Sequence, residues 1–343
     1  MKKKLIIIGA GLTGMSAAAR ASEKFNVEVI EKNSYIGGIS STFKYKKYYL
    51  DYGPHKIYTQ IPEVLEEIKK LIGKDLLKIK KKSKIRLKGK YFNYPVQIKE
   101  LLLGISPVTA LNCGISYIIA AVKKPLLRKK EETYEDYVIN RFGKVTYDLV
   151  FKPLAQKYWG NPKELSKDLA ITRISMPGMI QMLKLMLTGK KPDQSVSAEY
   201  FYYPKKGIIQ ITEKLAEKMK KNNGKLKLNA DTTRINIENN KVKSVTYKER
   251  GKEKIEKADY VISTAPINKL PEMLNAPEEV KQAAKNLRYR NLILLYIIAN
   301  KERIFEDNWR FFPEKKFPFT RLSEQKGFSS YMIPKNKTVL TAE

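Results

Sequence analysis

The strongest constraint on this chain lies near its start. Leu5 to Ile8 is an uninterrupted apolar run, followed at once by Gly9-Ala10-Gly11-Leu12-Thr13-Gly14. Such a run fits a strand buried on both faces. The six residues after it match G-x-G-x-x-G. A helical stretch follows from Met15 through Ala21, and a second strand, Val27-Glu28-Val29-Ile30, ends at Glu31. Gly9 allows the tight turn, Gly11 lets backbone approach a pyrophosphate, and Gly14 lets helix and strand pack closely. The helix N-terminus offers free N–H groups to phosphates. Glu31 is placed to accept from ribose hydroxyls. The glycines alone are a weak pattern. Strand, glycines, helix, strand and acid in this order predict a dinucleotide-binding α/β unit.

A second glycine pair follows the acid, in Lys32-Asn33-Ser34-Tyr35-Ile36-Gly37-Gly38-Ile39-Ser40-Ser41. It suits a loop passing close to the same pyrophosphate. At this point the sequence resembles the glutathione-reductase-like flavoproteins. More narrowly, it resembles their amine-oxidase branch, with protoporphyrinogen oxidases, phytoene desaturases and UDP-galactopyranose mutases. The resemblance implies FAD rather than NAD. It implies cofactor contacts at Gly9, Gly11, Leu12, Thr13, Gly14, Glu31, Lys32, Gly37, Gly38, Ile39 and Ser40.

Asp51-Tyr52-Gly53-Pro54-His55 follows a short aromatic strand, Lys47 to Leu50. Gly53 and Pro54 force a turn, which sets His55 at a sharp bend. The resembled family has a D-x-G-x-H segment beside its flavin, so His55 is the leading flavin-side and catalytic candidate.

The middle segment breaks the strand-helix alternation. Ile61 to Ile72 reads as an amphipathic helix, and Lys84 to Phe92 as a hairpin around Gly89, followed by Tyr94-Pro95. Leu101 to Val122 carries no charge. Its length could span a bilayer, but Gly104, Pro107, Asn112 and Gly114 interrupt it, and a packed helix pair reads the same way. Tyr134 to Phe142 is an amphipathic helix with Gly143 as its stop. Phe151 to Leu165 resembles the family's "KPYTEKVWG-x-P-x-EL" segment and its following Arg-Ile pair, here Arg173-Ile174. It departs from the family at Leu154-Ala155-Gln156. Met176, Met179, Met182 and Met186 are spaced as an adaptable apolar stripe.

Phe201-Tyr202-Tyr203-Pro204-Lys205-Lys206-Gly207 leads into a helix ending near Gly224, and four strands follow between Lys225 and Glu256. Ala258 to Pro266 reads as a buried strand ending in a Pro loop. This block resembles the family's "YP-K-G-G-I-x-x-L" helix, with Lys206 replacing the first glycine, and its "AD-x-VI-x-T-x-P" strand. The resemblance adds Thr232 near the adenine, and Thr264 and Pro266 to the cofactor set. Arg86, Trp159, Arg173, Tyr203 and Lys205 are the weaker substrate-side candidates. Leu292 to Ala299 reads as a long apolar strand, and the stretches Asp307 to Pro313 and Phe319 to Glu324 resemble the family's substrate domain. The family's final G-D-containing FAD motif is not found. The chain is therefore expected to be a fragment or a truncated paralogue that binds FAD weakly or not at all.

The expected fold is α/β: a Rossmann-like FAD-binding domain with an inserted α+β substrate domain. The first would comprise residues 1–75 and 200–268, the second 76–199 and 269–343. Composition removes other chemistries. Cys113 is the one cysteine, which excludes a disulfide scaffold and a thiolate zinc site. With His55 the one histidine, no His-pair metal site forms, and no metal is expected. The formal net charge is +32, but Lys dominates Arg, 55 to 12, and no base-reading module is present, so nucleic acid is not the expected partner. Met1 to Lys4 imitates a signal peptide, but the apolar run after it is too short for a signal core. The expected function is FAD-dependent oxidation, with hydride passing from an organic substrate to flavin N5. The alternative is a UDP-galactopyranose mutase-like isomerase acting on a nucleotide sugar. The substrate is expected to be a small molecule, anionic or partly apolar. The expected location is cytoplasmic, with peripheral contact at the inner face of the membrane as an option and oligomeric state open.

Overall fold

A computed structural model describes residues 2–94, 98–127, 130–174 and 199–343. Pro95 and the Met176, Met179, Met182 and Met186 stripe lie outside them. The chain divides into two compact units. The first is Met1–Lys78, Tyr202–Ile293 and Ser329–Pro334, and the second is Ile79–Phe201, Leu294–Phe328 and Lys335–Glu343.

In the first unit four parallel strands are ordered Tyr260–Ser263, Lys4–Ile8, Asn26–Ile30, Lys225–Lys227. The alternation of a strand explains why Leu5 to Ile8 is apolar throughout. Leu5 and Ile7 join Val27 and Val29 in a cluster with Met15 and Ala18 of the helix Leu12–Ala21, and with Ile211, Leu215 and Met219 of the helix Ile209–Lys221. Ile6, Ile8 and Ile30 face the other way. They meet Ala230, Ile235, Val245 and Tyr247 of an antiparallel three-stranded sheet, Ala230–Glu238, Lys241–Glu249 and Lys252–Lys257. Both faces of the parallel sheet are thus covered, as such sheets require. Asn239 and Asn240 take φ of 49° and 55° between the first two of those strands, the left-handed pair a tight hairpin needs.

This unit reaches further along the chain than 268. Leu270 and Met273 pack against the Ile6, Ile8 and Ile235 cluster. Ser329 Oγ donates to the Lys205 carbonyl at 2.6 Å, which ties the 329–334 segment to the same unit.

The second unit holds a six-stranded sheet, ordered Leu295–Ala299, Thr338–Ala342, Arg321–Glu324, Trp309–Phe311, Ser83–Leu87, Lys90–Asn93. Trp309–Phe311 and Ser83–Leu87 run parallel, and the other neighbours antiparallel. The strand expected from Leu292 starts only at Leu295. The charge-free stretch is a pair of helices, Ile98–Gly104 and Pro107–Leu127. The break has local causes: a Cβ at Gly104 would lie 2.2 Å from the Phe92 ring, and Pro107 is suited to open a helix. The helix Tyr134–Phe142 carries a capping box, in which Thr133 and Asp136 exchange side-chain and backbone bonds. Among the described residues, no helix is long and apolar enough to cross a membrane.

Candidate functional site

Between the first strand and its helix, the glycines do different work. Gly9 has φ +100°, and a Cβ there would lie 2.6 Å from Thr264 Oγ1. A Cβ at Gly14 would lie 2.0 Å from the Gly9 carbonyl oxygen. Both are glycine for packing reasons. Gly11 differs, because nothing lies within 4 Å of where its Cβ would be. Open space beside backbone at the head of a helix is what an approaching phosphate requires.

The second glycine pair closes on the first. Gly11 and Gly37 form an isolated parallel bridge, and the Gly37 N–H donates to the Ala10 carbonyl at 2.8 Å. Gly37 and Gly38 take φ of +100° and +57°. A Cβ on Gly38 would sit 3.5 Å from Gly11 Cα. The two loops therefore form one cradle. Leu12 lines its helix start, Thr13 is exposed, and Ile39 and Lys32 reach solvent.

Glu31 is buried, and its carboxylate braces the cradle. One oxygen accepts from the Ala10 N–H at 2.8 Å, the other from the Asn33 N–H at 2.8 Å. A carboxylate retains acceptor capacity beyond two bonds, so a ribose hydroxyl is still accommodated. The Ala230 N–H donates to the Glu31 carbonyl at 2.9 Å, and two residues on, the buried Thr232 hydroxyl has no partner among the described residues. An orphaned buried hydroxyl two residues beyond a contact to Glu31 fits a missing polar ligand. Thr264 donates to the Ile8 carbonyl at 2.9 Å and so supports the Gly9 turn, while Ser40 is half-buried and Pro266 is exposed.

Sequence reasoning passed over a neighbouring buried cluster. Asp51 accepts from Thr42 Oγ1 at 2.5 Å, from the Tyr203 hydroxyl and from the Ile208 N–H at 3.4 Å. Burial pushes the Asp51 carboxyl up to about 6, against the pull of those hydrogen bonds. Thr42 also accepts the Ile209 N–H at 3.2 Å, and Ile209 lies where a Cβ on Gly37 would be. The cluster thus fixes the start of the helix Ile209–Lys221 against the second glycine loop. The usable signal was an Asp inside an apolar strand, Tyr48–Asp51. His55 is half-exposed, between the Gly53 turn at φ +90° and Ile57, which pairs with Tyr202.

Two of the substrate-side candidates belong to the first unit. Tyr203 is in the Asp51 cluster, and Lys205 pairs with Asp75 at 3.3 Å. The other three belong to the second unit. Arg86 is paired with Glu314 and lies over the Phe317 ring at 5.0 Å. Trp159 packs against Tyr134 with ring centroids 5.9 Å apart, and Arg173 is exposed at the end of the helix Lys167–Arg173. That unit also holds a cavity of about 420 Å³, walled by Leu87, Val145, Leu149, Pro153 and Pro313, with Lys88, Asp148 and Glu314 on its border. No metal-binding group of His, Cys, Asp or Glu occurs among the described residues.

Known proteins agree with this architecture. The profile of the family described as flavin containing amine oxidoreductase matches residues 12–339. A 1-hydroxycarotenoid 3,4-desaturase from Flavobacterium sp. is 27% identical over 271 residues, covering 71% of this chain and 53% of that protein. The chain spans about half the length of the curated relatives it matches over most of its own length. A solved structure of reduced UDP-galactopyranose mutase covers 99% of this chain and 74% of its own, with a TM-score of 0.83 and 20% identity. A putrescine oxidase double mutant covers 100% of this chain and 75% of its own, with a TM-score of 0.63 and 16% identity. The dinucleotide of a flavin-containing family with this cradle is FAD.

Proposed function

Because the chain belongs to the flavin containing amine oxidoreductase family, we propose that it serves an FAD-dependent oxidation of a small organic molecule. The observation that carries this reading is the Gly11–Gly37 cradle inside a family match over residues 12–339. Bound FAD supplies the two-electron acceptor, and the protein's part is to hold and orient it. Gly11 and the N-terminus of the helix Leu12–Ala21 receive the pyrophosphate. Gly37, Gly38, Ile39 and Ser40 wrap its other side, and Glu31, with Lys32 beside it, meets the ribose. Thr232 lies at the adenine end, and Thr264 and Pro266 bound the cradle at Gly9. His55 serves the flavin ring. The cavity in the second unit, apolar with Lys88, Asp148 and Glu314 on its border, suits a partly apolar substrate. Arg86 can take an anionic substrate group only by leaving Glu314.

One experiment tests the reading. Purified protein loaded with FAD is titrated anaerobically with candidate amines, porphyrinogens and carotenoid precursors. Bleaching of the flavin band by one of them is the expected result. No bleaching by any, with FAD bound, would count against it.

The TM-score of 0.83 to the reduced mutase favours a second reading, a flavin-dependent isomerase of nucleotide sugars. Ring interconversion of UDP-galactose that appears only after dithionite reduction would select it over the first.

A further inference from the structure

The helix Ile209–Lys221 begins without a side-chain cap from its own segment, because Ile208 holds the cap position. The first N–H groups of a helix need acceptors from outside it. Here they come from far back in the chain. The Ile208 N–H donates to Asp51 Oδ1 at 3.4 Å, and the Ile209 N–H to Thr42 Oγ1 at 3.2 Å, 157 and 167 residues away. A carboxylate also suits the positive end of a helix. Thr42 and Asp51 are joined to each other at 2.5 Å, and Asp51 accepts the Tyr203 hydroxyl. The two segments meet closely. Gly207 has φ +105°, and a Cβ there would fall on the Thr42 side chain.

Thr42 is also where the second glycine loop ends. The other end of that loop is fixed by Gly37, whose N–H donates to the Ala10 carbonyl and which bridges Gly11. Between the two anchors, Gly38 lies against Gly11, and Ile39 is 84% exposed. The Ile209 side chain lies 2.6 Å from where a Cβ on Gly37 would be. Ser41 is buried, and its carbonyl accepts the Tyr52 N–H at 3.3 Å. The loop therefore rests on the first residue of the helix and leaves through Thr42. The Thr42 hydroxyl serves both sides of this junction, as donor to Asp51 and as acceptor from Ile209. Valine would keep its shape and make neither bond.

We infer that Thr42, Asp51 and Tyr203 are positioning residues for FAD: they hold the Gly37–Ser41 loop in the place where it closes on the pyrophosphate, and they set FAD affinity without touching the cofactor. The inference rests on the reading that the Gly11–Gly37 cradle receives FAD. A loop already in place spares the ordering cost that a loose one would add to binding. Tyr203 thereby takes a different part from the substrate contact expected of it, since its buried hydroxyl is turned to Asp51.

The test is titration of the FAD-free full chain with FAD, read by quenching of flavin fluorescence. Wild type is compared with Thr42→Val, Thr42→Ser, Tyr203→Phe and Val245→Ala. Val245 is buried with Ile6, Ile8 and Ile235 on the opposite face of the parallel sheet, so its truncation loosens the unit from the other side. Thr42→Val should weaken FAD binding about tenfold or more, and Tyr203→Phe about threefold or more. Thr42→Ser, which keeps the hydroxyl, and Val245→Ala should stay within about twofold of wild type. Wild-type affinity in both Thr42→Val and Tyr203→Phe overturns the inference, and so does an equal loss in Val245→Ala. Should Thr42→Val fail to fold, Tyr203→Phe carries the comparison. Amide hydrogen exchange of the FAD-free proteins gives a readout that needs no cofactor. Ile36 to Lys44 and Lys206 to Thr212 should exchange faster in Thr42→Val and as in wild type in Thr42→Ser. Unchanged exchange in Thr42→Val overturns the anchoring role and leaves the FAD reading intact, whereas a wild-type chain that takes up no FAD overturns both.

Discussion

The Tyr203 hydroxyl donates to the carboxylate of Asp51, 152 residues away in the chain. Both groups are buried, and Met332 Sδ lies 3.5 Å from the same hydroxyl. The bond joins the hairpin after the second glycine loop to the segment that opens the helix Ile209–Lys221. Tyr203→Phe keeps the ring and removes only the donor. A buried carboxylate that loses one partner costs about 1–3 kcal/mol. Urea unfolding should show a loss of that size with an unchanged m-value, and a shift below about 0.3 kcal/mol would show the bond to be unimportant.

Asp51 makes folding stability depend on pH in an unusual direction for a carboxyl. Its folded pKa is raised by burial from 3.8 to about 6, so between those values the folded chain holds a proton that the unfolded chain has released. Stability from this group therefore falls as pH rises through that window, and below 3.8 the penalty is absent. Above 6 the full penalty is on the order of 2–3 kcal/mol. Asp51→Asn should remove this component. The difference in unfolding free energy between variant and wild type should grow in favour of Asn from pH 4 to pH 7. A flat difference would mean that Asp51 titrates normally.

How far the sequence could be read depended on whether a feature was local. The strand Lys4–Ile8, the Gly9–Gly14 turn, the helix Leu12–Ala21 and Glu31 form one continuous stretch, so spacing alone could place them. Tyr134–Phe142 was legible for the same reason, with its capping box and the Gly143 stop both inside one local segment. Asp51 was not, because its partners Thr42, Tyr203 and Ile208 come together only when the chain returns after 150 residues. Nor could the spacing of Val108 to Val122 tell which face of the helix Pro107–Leu127 packs inward. Arg86 looked available for an anion, and only folding brings Glu314 to it.

In the second unit, Lys157 gathers backbone carbonyls. Its Nζ lies within hydrogen-bond distance of the carbonyl oxygens of Phe312 at 2.7 Å, Glu314 at 2.9 Å, Phe317 at 2.9 Å and Phe319 at 3.1 Å, which share its three N–H donors. Burial holds its pKa below the ordinary lysine value, against the opposing effect of Glu314. Lys157→Met keeps much of the length and removes the charge, which leaves converging carbonyls without this donor. A loss of about 2 kcal/mol or more is expected. The 312–319 loop should also become a site of limited proteolysis, and protease resistance equal to wild type would show that other contacts hold it.

His55 carries a prediction that turns on the flavin rather than on folding. It is half-exposed at a turn, so His55→Ala should leave the melting temperature within a degree or two. Its flavin absorption maximum or its turnover should change. If FAD-loaded variant and wild type have the same spectrum and the same rate, His55 is not part of the site.

The cradle glycines separate packing from ligand approach. A Cβ at Gly14 would be 2.0 Å from the Gly9 carbonyl oxygen, whereas Gly11 has nothing within 4 Å of its Cβ position. Gly14→Ala must therefore push the helix Leu12–Ala21 off the strand Lys4–Ile8, and should unfold the first unit or destabilise it by several kcal/mol. Gly11→Ala has room in the FAD-free protein and should melt with wild type. Its methyl group would instead occupy the space where pyrophosphate approaches, so FAD affinity should fall at least tenfold, read by quenching of flavin fluorescence on titration. The pair of results is diagnostic. If Gly11→Ala destabilised the FAD-free protein as much as Gly14→Ala, the open space at Gly11 would be structural. If it left FAD binding unchanged, the pyrophosphate would lie elsewhere than against the Gly11–Gly37 bridge.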